Sequence, residues 1–176
     1  LFCVLISIVY IIMACITPEI VKLFATEEYL DAIDISIVVL MGCYFATLYN
    51  IPCEVEYFYK KTIYIAFSTF LCAMINVCLN FILMQFFSYK VAAYVTFVSY
   101  LLYFLFHMYM SYVISKKWVF DLTKLILIIS GSLLLMVTIL LFVNHFVFRL
   151  FLLLLLFVLL IPHRNFIIQI VKDIKG

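Results

Sequence analysis

At 176 residues, 70% hydrophobic and 11% charged with a formal net charge of +2, the chain is too apolar to fold as a water-soluble globule. Soluble domains run roughly 45–50% apolar and about 25% charged, and one of this size leaves about 30% of its unfolded surface in water. A mean hydropathy of +1.34 therefore puts hydrocarbon around the chain, and so small a charge excess gives no basis for a nucleic-acid partner.

A helix needs about 20 mostly apolar residues to cross a bilayer. Six runs approach that length: 1–17, 35–52, 62–87, 91–115, 123–143 and 146–161. Alternating in/out polarity is absent, which excludes a membrane barrel, and backbone groups in lipid then demand helices. The expected fold is an all-α polytopic membrane helix bundle of about six transmembrane helices.

The first run opens at Leu1 with no basic n-region and no small-residue cleavage site. It reads as a truncated transmembrane helix at the start of the later part of a longer protein, not as a signal peptide. Residues 18–34 form an external segment carrying Glu19, Lys22, Glu27, Glu28, Asp31 and Asp34. Thr17 as N-cap and Pro18 at N1 predict a short interfacial helix there. Residues 35–115 supply three core spans. Asn50 and Pro52 close the first of these; Pro52 frees a carbonyl that Asn50 is placed to satisfy. Residues 123–161 form a peripheral hairpin. Its second run, Leu-rich from Leu150 to Leu160, is only about 24 Å long at ~1.5 Å per residue. That run is expected at the bundle edge, facing lipid, with Arg149 snorkelling outward. Residues 162–176 read as an amphipathic tail on the inner leaflet.

The basic residues divide by side. Alternating the connections puts Lys60, Lys61, Lys116, Lys117, Lys124, Arg164, Lys172 and Lys175 together, against Lys22, Lys90 and Arg149. The richer side is expected to be cytoplasmic, which predicts a multi-pass protein of the plasma membrane with its C-terminus in the cytoplasm.

Polar residues inside spans are the place to look for function, because they cost free energy to bury. Thr69, Ala73, Asn76 and Asn80 are spaced four, three and four apart, on one helix face. Ala92, Thr96, Ser99, Tyr103 and His107 share a face of the next span. These stripes pack helix on helix, at roughly 0.6–2 kcal/mol per hydrogen bond, or line a polar cavity; the two readings are compatible. His107 carries a proton or meets an anion in one reading, and is a neutral ring bonded to a backbone carbonyl in the other. No carboxylate is expected at mid-depth, which argues against a carboxylate proton relay in this portion.

Cys3, Cys15, Cys43, Cys53, Cys72 and Cys78 contain no C-x-x-C pair and read as small hydrophobes. His107, His145 and His163 are scattered, so no metal site is expected. G-x-S-x-G, H-E-x-x-H, the P-loop and G-x-G-x-x-G are all absent. The residues thus point to neither catalysis nor a cofactor.

A family likeness runs through the same segments. Pro18-Glu19-Ile20-Val21-Lys22-Leu23 followed by Glu28-Tyr29 and Ala32 resembles the "P-E-I-I-x-L-L…E-Y…A" segment of Wzx-type polysaccharide flippases. These are O-antigen and capsular repeat-unit translocases of the MATE/MurJ-like superfamily. Glu56-Tyr57-Phe58-Tyr59-Lys60-Lys61-Thr62 looks like the family's short "K-K-T" link. Ile75-Asn76 with Leu79-Asn80-Phe81-Ile82 is similar to its "I-N-I-x-L-N" run. Val91-Ala92-Ala93-Tyr94-Val95-Thr96 with Ser99-Tyr100 is similar to its "G-A-A-x-A-T-x-x-S-Y" entry, although the family has Gly before the Ala-Ala pair and here Tyr89, Lys90 and Val91 occupy that turn. The order agrees from Pro18 to Lys117.

The resemblance implies the later half of a two-lobed, alternating-access transporter. It implies a cargo of undecaprenyl-pyrophosphate-linked oligosaccharide, moved from inner to outer leaflet of the bacterial cytoplasmic membrane. Its partners would be membrane lipid, that substrate and the missing N-terminal half of the same chain. Asn76, Asn80, Thr96, Ser99, Tyr103 and His107 are the expected substrate path, offering hydrogen bonds to sugar hydroxyls. The alternatives are a MATE-type drug/cation antiporter, a membrane-embedded polysaccharide polymerase or acyltransferase, and a purely structural subunit. A short acidic external segment counts against a polymerase.

Overall fold

A computed structural model describes residues 2–26 and 32–160. The predicted tail over 162–176 lies outside those residues, as do Glu27, Glu28 and Asp31 of the acidic stretch.

Helix follows every apolar run. The elements are α1 (Phe2–Phe24), α2 (Ile33–Leu48), α3 (Asn50–Phe58), α4 (Ile63–Leu83), α5 (Val91–Ser115), α6 (Leu122–Leu141) and α7 (Phe146–Leu160). Only Tyr49 separates α2 from α3, so together they make one span, Ile33–Phe58. Five helices are long and apolar enough to cross a membrane; α7, with 15 residues, is shorter. The chain is an all-α polytopic helical bundle, with no strand among the described residues. Successive spans alternate in direction. One end gathers Phe2, Phe58, Lys117 and Phe120 around a shared pocket, and the opposite end brings Glu19 to Arg149.

Three local expectations need correction. Helix α1 does not stop at Thr17 but continues to Phe24, so Pro18 lies inside it rather than at N1. Thr17 is not an N-cap; its hydroxyl donates back to the Met13 carbonyl at 2.7 Å. Pro18 has no N–H for the Ala14 carbonyl four residues back, so α1 runs on without that one bond. Here Arg149, from α7, donates through Nη1 to the Cys15 carbonyl at 2.8 Å. That contact is the third correction: Arg149 does not snorkel outward but is 1% exposed, its Nη2 donating to Glu19.

Elsewhere a break between α2 and α3 falls near Asn50 and Pro52 as expected, but Asn50 does not satisfy the carbonyl that Pro52 frees. Pro52 has no N–H for the Leu48 carbonyl, and the Asn50 amide donates to the adjacent Thr47 carbonyl at 3.0 Å.

Helix α2 is the centre of the packing. One apolar cluster joins Ile11, Ala14 and Cys15 of α1 to Ile33, Ile37 and Met41 of α2 and to Met136 and Ile139 of α6. A second joins Tyr44, Phe45 and Leu48 of α2 to Phe104 and Met108 of α5 and Leu125 of α6. Gly42 lets α2 and α5 approach closely: a Cβ there would sit 3.3 Å from the Phe97 Cα. The Leu152, Leu153 and Leu156 side of α7 packs on the first cluster, while Phe151, Leu154 and Phe157 stay exposed, as expected of an edge helix. Helix α4 rests on α5 and the foot of α3, with Ser68 its one buried residue.

Candidate functional site: a polar cleft and a buried acid–imidazole pair

Because α4 leans on α5 alone over most of its length, a cleft of about 610 Å³ remains between α2, α4 and α5. Ala46 and Tyr49 form its back; Thr69, Cys72, Ala73, Asn76 and Val77 come from α4, and Thr96, Ser99, Tyr100 and Tyr103 from α5. Both polar stripes predicted from helical spacing therefore meet on one cavity.

The same residues also stitch α4 to α5. Asn76 Nδ2 donates to Ser99 Oγ at 3.3 Å, and Asn80 Nδ2 donates to Asn76 Oδ1 at 3.0 Å. The Thr69 hydroxyl gives its proton to the Ile65 carbonyl at 2.7 Å, so at 2.8 Å it accepts from the Tyr103 hydroxyl. The Cys72 thiol reaches the Ser99 carbonyl at 3.5 Å. Thr96 spends its hydroxyl on the Ala92 carbonyl of its own helix, which leaves its oxygen as an acceptor towards the cavity. Packing and lining thus coexist. No formal charge lies on the wall, so the cleft suits neutral hydroxyl and amide groups.

The six predicted path residues separate. Asn76, Thr96, Ser99 and Tyr103 line the cleft. Asn80 extends the amide chain one turn along α4, and its Oδ1 is buried without a partner. His107 does not reach the cavity. It lies behind Tyr103, ring centroids 4.6 Å apart, with no exposed surface.

There His107 meets a residue the sequence reading passed over. Its Nδ1 is 2.5 Å from Glu56 Oε1, and its Nε2 is 2.9 Å from Ser68 Oγ. Glu56 is fully buried, and its Oε2 has no hydrogen-bond partner. No carboxylate was expected at mid-depth, and Glu56 lies near the end of the Ile33–Phe58 span; what the sequence reading did not foresee is that α3 continues past the Asn50–Pro52 break and turns Glu56 inward, while Glu54, two residues earlier, faces outward. Neither was His107 bonded to a backbone carbonyl, as one reading had it. The signal was legible in part. A histidine in an apolar span needs a polar partner, and the acids on the neighbouring span at that end are Glu54 and Glu56.

Cys53, one helical turn before Glu56, brings a third donor atom within 4.8 Å of the other two. As placed, the set does not fit an ion. Zinc bonds of about 2.0–2.2 Å in a tetrahedron hold ligand atoms roughly 3.3 Å or more apart. Glu56 and His107 touch directly instead.

No protein-family model, curated protein or solved structure matches this chain. The functional reading therefore rests on the cleft, the buried pair and the likeness of the sequence segments.

Proposed function

We propose that the chain is the later lobe of an alternating-access transporter that flips undecaprenyl-pyrophosphate-linked oligosaccharide from the inner to the outer leaflet of the bacterial cytoplasmic membrane. The observation that carries this reading is the uncharged, hydrogen-bonding cleft between α4 and α5, walled by Asn76, Ser99, Thr96 and Tyr103. A glycan needs a shielded path of donors and acceptors, while its polyprenyl tail stays in lipid. Sugar hydroxyls exchange readily with the Asn76–Ser99 and Thr69–Tyr103 bonds, because each is a neutral bond of modest net strength. The segment likeness from Pro18 to Lys117 supports the same reading, and with it an N-terminal half that completes the cavity. The Lys-rich ends of the spans are then cytoplasmic.

One observation favours a second reading. A drug/cation antiporter of the MATE type needs a buried acid, and Glu56 is one. Transport by the full-length protein in liposomes separates the two. The flippase reading expects a fluorescent lipid-linked oligosaccharide to cross the bilayer, with Asn76→Leu slowing the crossing and no export of organic cations. Cation export that ignores Asn76→Leu, without movement of the lipid-linked sugar, would refute it in favour of the antiporter.

A further inference from the structure

We infer that the apolar pocket at the Lys-rich end of the bundle binds a phospholipid with an ethanolamine head group, whose ammonium meets Glu54 and whose phosphate meets Lys117. The pocket holds about 600 Å³ and is walled by Phe2 of α1, by Ile51, Val55 and Phe58 of α3, and by Val119 and Phe120 of the α5–α6 connection. It shares no residue with the cleft between α4 and α5, so the inference stands whichever cargo that cleft takes. Its neighbours set its level in the bilayer. Lys60, Lys61 and Lys116 lie at the same end, and Trp118 stacks on Tyr112 with ring centroids 4.5 Å apart and both rings exposed. Amphipathic aromatic rings beside lysines mark the depth of the head groups. The pocket therefore opens where acyl chain gives way to head group, and its apolar wall takes the upper part of a chain.

The charges on the rim select the lipid. Glu54 and Lys117 are the charged residues of the lining, one of each sign. Both are exposed, and neither makes an ion pair with the other or with any other described residue. At the edge of hydrocarbon, water screens them less than it does in bulk, so each gains from a counter-charge. An ethanolamine head group brings both counter-charges side by side on an apolar tail. Its phosphate oxygens accept from the Lys117 ammonium, and its own ammonium donates N–H bonds to the Glu54 carboxylate. A choline head group keeps the phosphate but has no N–H for Glu54. A glycerol head group keeps the phosphate and leaves Glu54 beside a second negative charge with no cation. Lys60, Lys61 and Lys116 draw any anionic lipid to this end, but as solvated charges whose pull is screened beyond about 8 Å at an ionic strength of about 0.15 M. The match at Glu54 and Lys117 is a matter of direct contact and survives that screening.

The test is native mass spectrometry of the full-length protein, titrated in detergent micelles with phosphatidylethanolamine, phosphatidylcholine and phosphatidylglycerol of identical acyl chains. The wild type is expected to hold the ethanolamine lipid about three- to tenfold more tightly than either of the others, the scale of one partly screened charge-assisted bond. Glu54→Gln is expected to bring the ethanolamine and choline lipids level. Glu54→Lys, which places two cations on the rim, is expected to favour the glycerol lipid instead. Lys117→Gln is expected to weaken all three together, because each loses its phosphate contact. Both residues are exposed, so these substitutions leave the packing untouched. Equal retention of the three lipids by the wild type would overturn the inference, as would an ethanolamine preference that Glu54→Gln and Glu54→Lys leave unchanged. Retention that begins only when residues 161–176 are removed would also overturn it, and would make that tail the occupant of the pocket.

Discussion

Arg149 offers the sharpest test of how the bundle is held together. It is a guanidinium on α7, 1% exposed, yet its partners lie on α1, 130 residues or more away in sequence: the Glu19 carboxylate and the Cys15 carbonyl near Pro18. Replacing it with Ala removes one charge-assisted bond, worth about 1.5–3 kcal/mol, and one bond to a carbonyl, worth about 1 kcal/mol. The loss at Glu19 is discounted, because its side chain is 41% exposed and keeps Lys22 at 3.6 Å. The carbonyl has no such relief beneath α7. The expected cost of Arg149→Ala is therefore about 2–3 kcal/mol. Arg149→Lys should lose about half as much, since a single ammonium cannot serve both acceptors with the same fork. Equilibrium unfolding in mixed detergent micelles reads these differences. If Arg149→Ala is within about 0.5 kcal/mol of wild type, α7 is not pinned to α1 through Arg149.

Two further outcomes follow from local geometry. At Gly42, Ala gains up to about 1 kcal/mol of helix propensity but brings its Cβ to 3.3 Å from the Phe97 backbone, so it should be near neutral, whereas Leu should cost about 1–3 kcal/mol by forcing α2 from α5. Comparing thermal unfolding of the two variants checks this; equal stability of Leu and wild type would contradict the close approach. At the start of α6, Asp121 accepts from the Lys124 backbone N–H at 3.3 Å, and Lys124 Nζ lies 2.9 Å from its other oxygen. The Lys124 side chain first, then its backbone N–H, holds the Asp121 carboxyl below its ordinary range. A lowered acid contributes stability above its unfolded value and loses it as pH falls through the folded one. Asp121→Asn should therefore lower the neutral plateau slightly and leave the acid end unchanged, so that the acid limb flattens; equilibrium unfolding as a function of pH checks it.

Much of the architecture was legible because lipid leaves few options. An apolar run must be a helix, and α5 begins and ends where its run of apolar residues does. The polar stripes were legible too, since the 3.6-residue period fixes which side chains share a face. Pairings between distant segments were not. Thr17-Pro18 carries the local pattern of a helix start, yet α1 runs through it, and Arg149 arrives from α7 on the turn before Pro18. Glu56 stands among Tyr and Lys in what looks like a connection. Whether it turns in or out depends on α3 keeping its helical phase past Pro52, and on His107 waiting opposite. In each case a charged residue in apolar surroundings announced that a partner existed, without saying where.

The central claim is that water reaches the cleft between α4 and α5 from the aqueous phase. Cysteines placed singly at Asn76 and Ser99, in a cysteine-free full-length protein in bilayers, measure it through reaction with a small charged thiol reagent. Both should react readily, while a cysteine at Leu105, on the outer face of α5, should stay inert. Labelling at Asn76 and Ser99 no faster than at Leu105 would mean that the stripes only pack, and that no polar path runs through this bundle.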